Sequence, residues 1–155
     1  MPKIDPGQAE KNNDSGYPEP HAGEMSRRWK QKLGDLAGLT QFGVNLITLE
    51  PGGKSSLRHW HVNEDEFLFV TEGEFVLVED SGEAVMRPGD MAAFKAGVAN
   101  GHHLLNRSDA PASFIVVGTR SPDETAGYSD VDLVYQRKDG RGWYTRRSGK
   151  FVKEA

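Results

Sequence analysis

The sequence predicts an all-β domain, a sandwich or barrel of short strands, and three observations carry that prediction. Apolar runs are short and alternate with polar residues, as strands with one buried face require. Turn signals recur between them at Glu50-Pro51-Gly52-Gly53, Glu72-Gly73, Asp80-Ser81-Gly82 and Pro88-Gly89-Asp90. Glycine is abundant, 18 of 155 residues, while the apolar fraction is only 36%, a mix suited to strands and turns rather than a βαβ fold.

Length and composition bound the rest. A chain of 155 residues fits one domain with a single core or a small barrel. A net charge of −4 supplies no global field for nucleic acid or anionic membranes, so neither is expected as a partner. Cysteine is absent, which excludes disulfides, iron–sulfur clusters, thiolate zinc sites and a cysteine nucleophile. The opening MPKIDPGQAEKNNDSG has no apolar signal-peptide core, and no segment has the length of a membrane-spanning helix; a cytoplasmic protein is expected.

The elements follow in order. Met1 to about Glu24 holds almost no aliphatic side chains and cannot fold by itself, so it is expected as a flexible or loosely docked arm. Between Ser26 and Leu36, Arg27, Arg28, Lys30 and Lys32 surround Trp29 and Leu33, which fits a helical turn or an amphipathic edge strand. Gln41 to Leu49 alternates, with Phe42, Val44 and Leu46 on one face and Gly43, Asn45 and Ile47 on the other. Strands are expected at about Ser55–His61, Glu66–Thr71, Glu74–Glu79, Glu83–Arg87, Met91–Phe94, His102–Asn106 and Ala112–Thr119. In the tail, Val131–Tyr135 and Gly142–Thr145 read as a hairpin joined by Arg137-Lys138-Asp139-Gly140, in which Asp-Gly is a favoured hairpin turn.

Chemistry concentrates in GKSSLRHWHVNEDEFLFVTEG, from Gly53 to Gly73. His59 and His61 are two apart, so one strand face presents both imidazoles. A turn through Val62-Asn63-Glu64-Asp65 returns the chain, and Glu66 opens the next strand beside them. Two neutral imidazoles and a carboxylate converging from adjacent strands make a divalent-metal site of the N/O type. The alternative is a structural pair of strand histidines beside an exposed acid.

Gly53, His59, His61, Glu66 and Gly73, in the pattern G-x5-H-x-H-x4-E-x6-G, resemble the first motif of the cupin superfamily. Gly82, Pro88-Gly89-Asp90, Gly97, His102 and Asn106 resemble its second motif more loosely, with Lys95 where proline is expected and two extra residues between Gly97 and His102. The wider sequence is similar to small bacterial single-domain cupins. The resemblance implies a double-stranded β-helix, or jelly-roll barrel, over residues 26–120. Residues 1–25 then form an N-terminal arm, and residues 121–155 a C-terminal extension with a β-hairpin. It also implies a mononuclear divalent transition metal (iron, manganese, zinc or nickel) held by His59, His61, Glu66 and His102. His103 stands as the alternative third histidine; His102 is favoured because it keeps H-x3-N with Asn106.

By that resemblance the chain is expected to be a small-molecule metalloenzyme of dioxygenase or isomerase/lyase type. The alternative is a non-catalytic, metal-dependent protein that binds or senses a small ligand. A homodimer is expected, as is common among cupins, because small barrels leave exposed sheet edges that a second copy can cover. Phe67 and Phe69 alternate with Glu66, Leu68 and Val70 and are placed on the opposite face as core or interface. Glu64 and Asp65 read as a solvated turn in preference to a general base, and the basic residues from Arg137 to Lys153 as a solvated tail or a dimer hairpin in preference to a nucleic-acid surface.

Overall fold

Residues 2–155 are described by the computed structural model, and they fold into three antiparallel sheets. In chain order the strands are β1 (Lys11–Asn12), β2 (Arg28–Lys32), β3 (Phe42–Leu49), β4 (His59–His61), β5 (Glu66–Glu72), β6 (Phe75–Glu79) and β7 (Gly82–Met86). There follow β8 (Met91–Phe94), β9 (His103–Leu105), β10 (Ala112–Thr119), β11 (Glu124–Tyr128), β12 (Val134–Lys138), β13 (Arg141–Thr145) and β14 (Phe151–Glu154). The sheet orders are β1-β2-β3-β10-β5-β8, β14-β13-β12-β11-β4 and β7-β6-β9. This is the all-β jelly-roll barrel expected, with one short helix, α1 (Leu33–Leu36). No helix among the described residues is long and apolar enough to cross a membrane.

The main core lies between the six-stranded and three-stranded sheets. Leu49, Val70, Phe75, Leu77, Leu104 and Phe114 pack there from five strands of the two sheets. Burying such a side chain contributes about 1.5–3 kcal/mol, so a handful outweighs any single surface ion pair. A second cluster joins Tyr17 and Met25 of the N-terminal segment to Leu57, Tyr128, Leu133 and Tyr144, beneath the five-stranded sheet.

Strand β3 alternates as expected, but its core face is the one carrying Ile47 and Leu49, while Phe42 is exposed. The physical reason is that both faces are apolar. On the outer face Leu46 lies opposite Ile115, which in turn lies opposite Phe69, so the outward row continues across three strands. A period of two identifies faces without saying which one the core claims. Phe67 and Phe69 accordingly lie outside, with Leu68 and Val70 inside.

The ambiguous stretch from Ser26 to Leu36 is a strand followed by a helical turn. Register decides what β2 presents: Arg28 lies opposite Leu49 and Lys30 opposite Ile47. Directly opposed residues share a face, so these two cations point into the barrel. Trp29, opposite Thr48, points out and carries Lys11 above its ring.

The N-terminal segment docks along the barrel. Lys11 and Asn12 pair with Gln31 and Lys30, and Gln31 Nε2 donates to the carbonyl oxygens of Pro6 and Ala9. Its one buried aromatic, Tyr17, packs edge-on against Tyr128 at 5.7 Å between ring centres. The C-terminal strands extend the sheet that holds β4, through β11. Their hairpin turns at Asp139 and Gly140, both at positive φ, as a two-residue Asp-Gly turn requires.

Candidate metal centre

Three local pairings bring the expected residues together. Ala126 and Tyr128 of β11 lie opposite His61 and His59, fixing β4 so that both imidazoles face the barrel interior. His102 stands directly across from His59 in an isolated bridge, with backbone N–H···O distances of 3.3 and 3.0 Å. Glu66 opens β5 opposite Phe94, whose ring stacks on His102 at 3.4 Å between centres. One strand, one bridge and one strand start thus supply four side chains.

Donor atoms of His59, His61 and Glu66 lie within 4.8 Å of one another. His102 Nε2 is 3.2 Å from Glu66 Oε1, and His61 Nε2 is 3.5 Å from Glu66 Oε2. His103 lies elsewhere: its Nδ1 donates to the Ser56 carbonyl oxygen at 2.8 Å, one position out of phase with the site. Strand alternation explains the choice between the two neighbours.

The hydrogen bonds at the rear of the rings test whether these groups suit a metal. A carbonyl oxygen only accepts, so a ring nitrogen beside one must carry the proton. His59 Nδ1 donates to Leu57 O at 2.9 Å, and His102 Nδ1 donates to Asn100 O at 3.1 Å. In the neutral rings both Nε2 lone pairs therefore point inward. Two acceptors, His102 Nε2 and Glu66 Oε1, then face each other, an arrangement that a shared cation or a proton reconciles. The donor set fits a divalent metal.

Electrostatics agree. Burial pushes the His59 imidazole down to about 4; Glu66 pulls it up, while His61 and His102 push it further down. It is a neutral nitrogen donor at neutral pH. For His61 burial also acts downward, but contact with Glu66, and the charges of Glu66, Glu124 and Glu64, raise it overall. Burial alone would raise the Glu66 carboxyl; His102 and His61 override it and hold the group well below the usual carboxylate range.

Sequence reasoning missed Glu124. It is 3% exposed, and its Oε1 accepts from the backbone N–H groups of Val62, Asn63 and Thr125 at 3.0, 3.1 and 2.7 Å. The backbone of the motif's own turn is thus anchored to a carboxylate sixty residues away. No local signal marks it; an acid at a strand start reads as solvent-facing. Glu64 also departs from the solvated-turn expectation. It lines the cavity, pairs with Arg137 and accepts from Ser121 N at 2.9 Å. The supposed tail is the reason, because β12 carries Arg137 back over the turn.

The cavity above these groups measures about 420 Å³, within the range that accepts small molecules. Its wall includes Tyr17, Arg28, Lys30, Tyr128, Tyr144 and Arg137 besides the metal-type ligands.

Comparison with known proteins places this arrangement. The cupin domain profile matches residues 45–118. A sugar phosphate isomerase of the cupin superfamily from Silicibacter pomeroyi is 52% identical, with 98% of this chain and 97% of that one covered and a TM-score of 0.95. A protein provisionally named a sugar phosphate isomerase, from Acidithiobacillus ferrooxidans, is 27% identical, with 81% and 80% covered and a TM-score of 0.74. A polyketide cyclase from Streptomyces resistomycificus shares the fold at 21% identity, with 77% and 79% covered and a TM-score of 0.62. No protein of curated function matches the sequence. The chain belongs to the cupin superfamily.

Proposed function

We propose that this cupin is a metal-dependent isomerase of phosphorylated sugars, with a metal held by His59, His61, Glu66 and His102. The observation that carries the reading is the convergence of His59, His61 and Glu66 in the wall of a cavity of small-molecule size, with His102 against Glu66. The 52% identity to the Silicibacter pomeroyi protein, over nearly the whole of both chains, supports the reaction class. Iron, manganese, zinc and nickel all accept such nitrogen–oxygen sets.

Aldose–ketose interconversion moves one hydrogen between neighbouring carbons and one proton between the oxygens they carry, and needs no external oxidant. A bound divalent ion supplies Lewis-acid polarisation of the substrate's carbonyl and hydroxyl oxygens. The chain's own groups do the rest. Glu64 has Oε1 engaged by Arg137 and Ser121, while Oε2 lies 3.9 Å from His61 Nδ1 at the cavity wall; it is the base that takes the proton from one carbon and returns it to the next. Burial raises the Tyr17 and Tyr128 hydroxyls, so both remain donors for substrate oxygens at neutral pH. The docked Tyr17 narrows water's access to the reacting carbons.

Assembly is part of the same proposal. The outer face of the six-stranded sheet carries Phe42, Leu46, Phe67, Phe69, Ile115 and Met91 in one apolar field, and a second copy of the chain covers it in a homodimer.

The test is exchange with solvent. The chain, loaded in turn with each divalent metal, is incubated in D2O with a panel of aldose and ketose phosphates, and proton NMR follows loss of the C1 and C2 hydrogens. Deuterium incorporation that depends on metal supports isomerisation. Metal-loaded protein that neither exchanges nor interconverts any member of the panel refutes it, and oxygen uptake instead would point to the dioxygenase.

A further inference from the structure

We infer that Arg28 and Lys30, side by side on the inner face of β2, form a phosphoryl-binding subsite in the wall of the metal cavity. The inference deepens the isomerase reading, since it says which end of the cavity holds the charged end of the substrate.

Arg-x-Lys on a strand places both cations on one face, and pairing with Leu49 and Ile47 turns that face toward the interior. Both side chains line the cavity that holds His59, His61 and Glu66. Lys30 also lines a second cavity of about 290 Å³, which shares Glu64, Glu66 and Arg137 with the first.

Among the described residues neither cation forms an ion pair. Arg28 Nη1 donates to Ser55 O at 2.9 Å and Nη2 to Asp14 O at 3.3 Å, both neutral acceptors, and its buried Nε has no acceptor. Lys30 Nζ has no hydrogen-bond partner among those residues. The cavity's carboxylates are engaged elsewhere: Glu64 with Arg137, Glu66 with His61 and His102, and Glu124 with three backbone amides.

Two half-buried like charges without a counter-ion are costly. Burial lowers both groups, and Arg28 pushes Lys30 down further, in the direction that unpaired buried cations take. A compact dianion relieves it. A phosphate monoester matches the fork of an arginine beside the point charge of a lysine, and the remaining N–H groups are available to its oxygens. Tyr17 and Tyr144 stand in the same wall.

Inorganic phosphate is the probe. Titrated into the zinc-loaded full chain, it should shift the Arg28 Nε–H resonance saturably. Lys30→Met should weaken binding by about tenfold or more, and Lys30→Arg should largely preserve it, with zinc content unchanged in both. The wild-type titration stands alone if Lys30→Met does not fold. Phosphate that moves histidine resonances while leaving Arg28 still, or that binds Lys30→Met as tightly as wild type, or that does not bind at millimolar concentration, overturns the subsite. Phosphate held at Arg28 and Lys30 without exchange of any sugar phosphate would spare the subsite and remove the isomerase. Turnover indifferent to Lys30→Met would do the reverse.

Discussion

His61 Nδ1 and Glu124 Oε2 face each other across 3.8 Å, both buried and, among the described residues, both without another hydrogen-bond partner. A small rotation of either side chain closes this gap to a hydrogen bond. Ring nitrogens opposite a metal are commonly held by a carboxylate in this way, which fixes the tautomer and strengthens the ligand.

Glu124→Gln should therefore weaken metal binding by roughly 10–100-fold, while keeping an acceptor for the three amides. Competition with a chromophoric chelator measures it. Affinity equal to wild type would show that Glu124 merely braces the turn.

His61→Ala and His102→Ala should each lower metal content sharply, whereas His103→Ala should leave it near one ion per chain. Elemental analysis of untagged protein reads all three. Full retention by His61→Ala, or loss confined to His103→Ala, contradicts the ligand set.

Gly73 closes the β5–β6 turn at φ +74°, and a Cβ there would stand 2.6 Å from the Ala112 Cβ. Gly73→Ala combines backbone strain with overpacking and should cost about 3 kcal/mol. Thermal unfolding would register this as a clear drop in the midpoint; an unchanged midpoint would mean the turn relaxes freely.

Phe69→Asp places a charge on the outer apolar field without touching the core. If the proposed homodimer forms through this face, sedimentation should show wild type as a dimer and the variant as a monomer, with the unfolding midpoint of the isolated chain little changed. A variant that remains dimeric places the contact on another surface.

The sequence alone is informative wherever the physics is local. Period two placed His59 and His61 on one face, the Val62–Asp65 turn returned Glu66 beside them, and Asp139-Gly140 announced its hairpin. Alternation also separated His102 from His103. Where both faces of a strand are apolar, as in β3, the same alternation is silent about which one is inside.

What the sequence by itself determined is the all-strand class and the residue types able to hold a metal, because strand period and turn chemistry act between near neighbours. The tertiary structure decided the surroundings: Glu124 behind His61, Arg137 over Glu64, Tyr17 in the cavity wall, and the inward face of Arg28 and Lys30. Each of these depends on register between strands far apart in the chain, and register is set by which faces the shared core can bury.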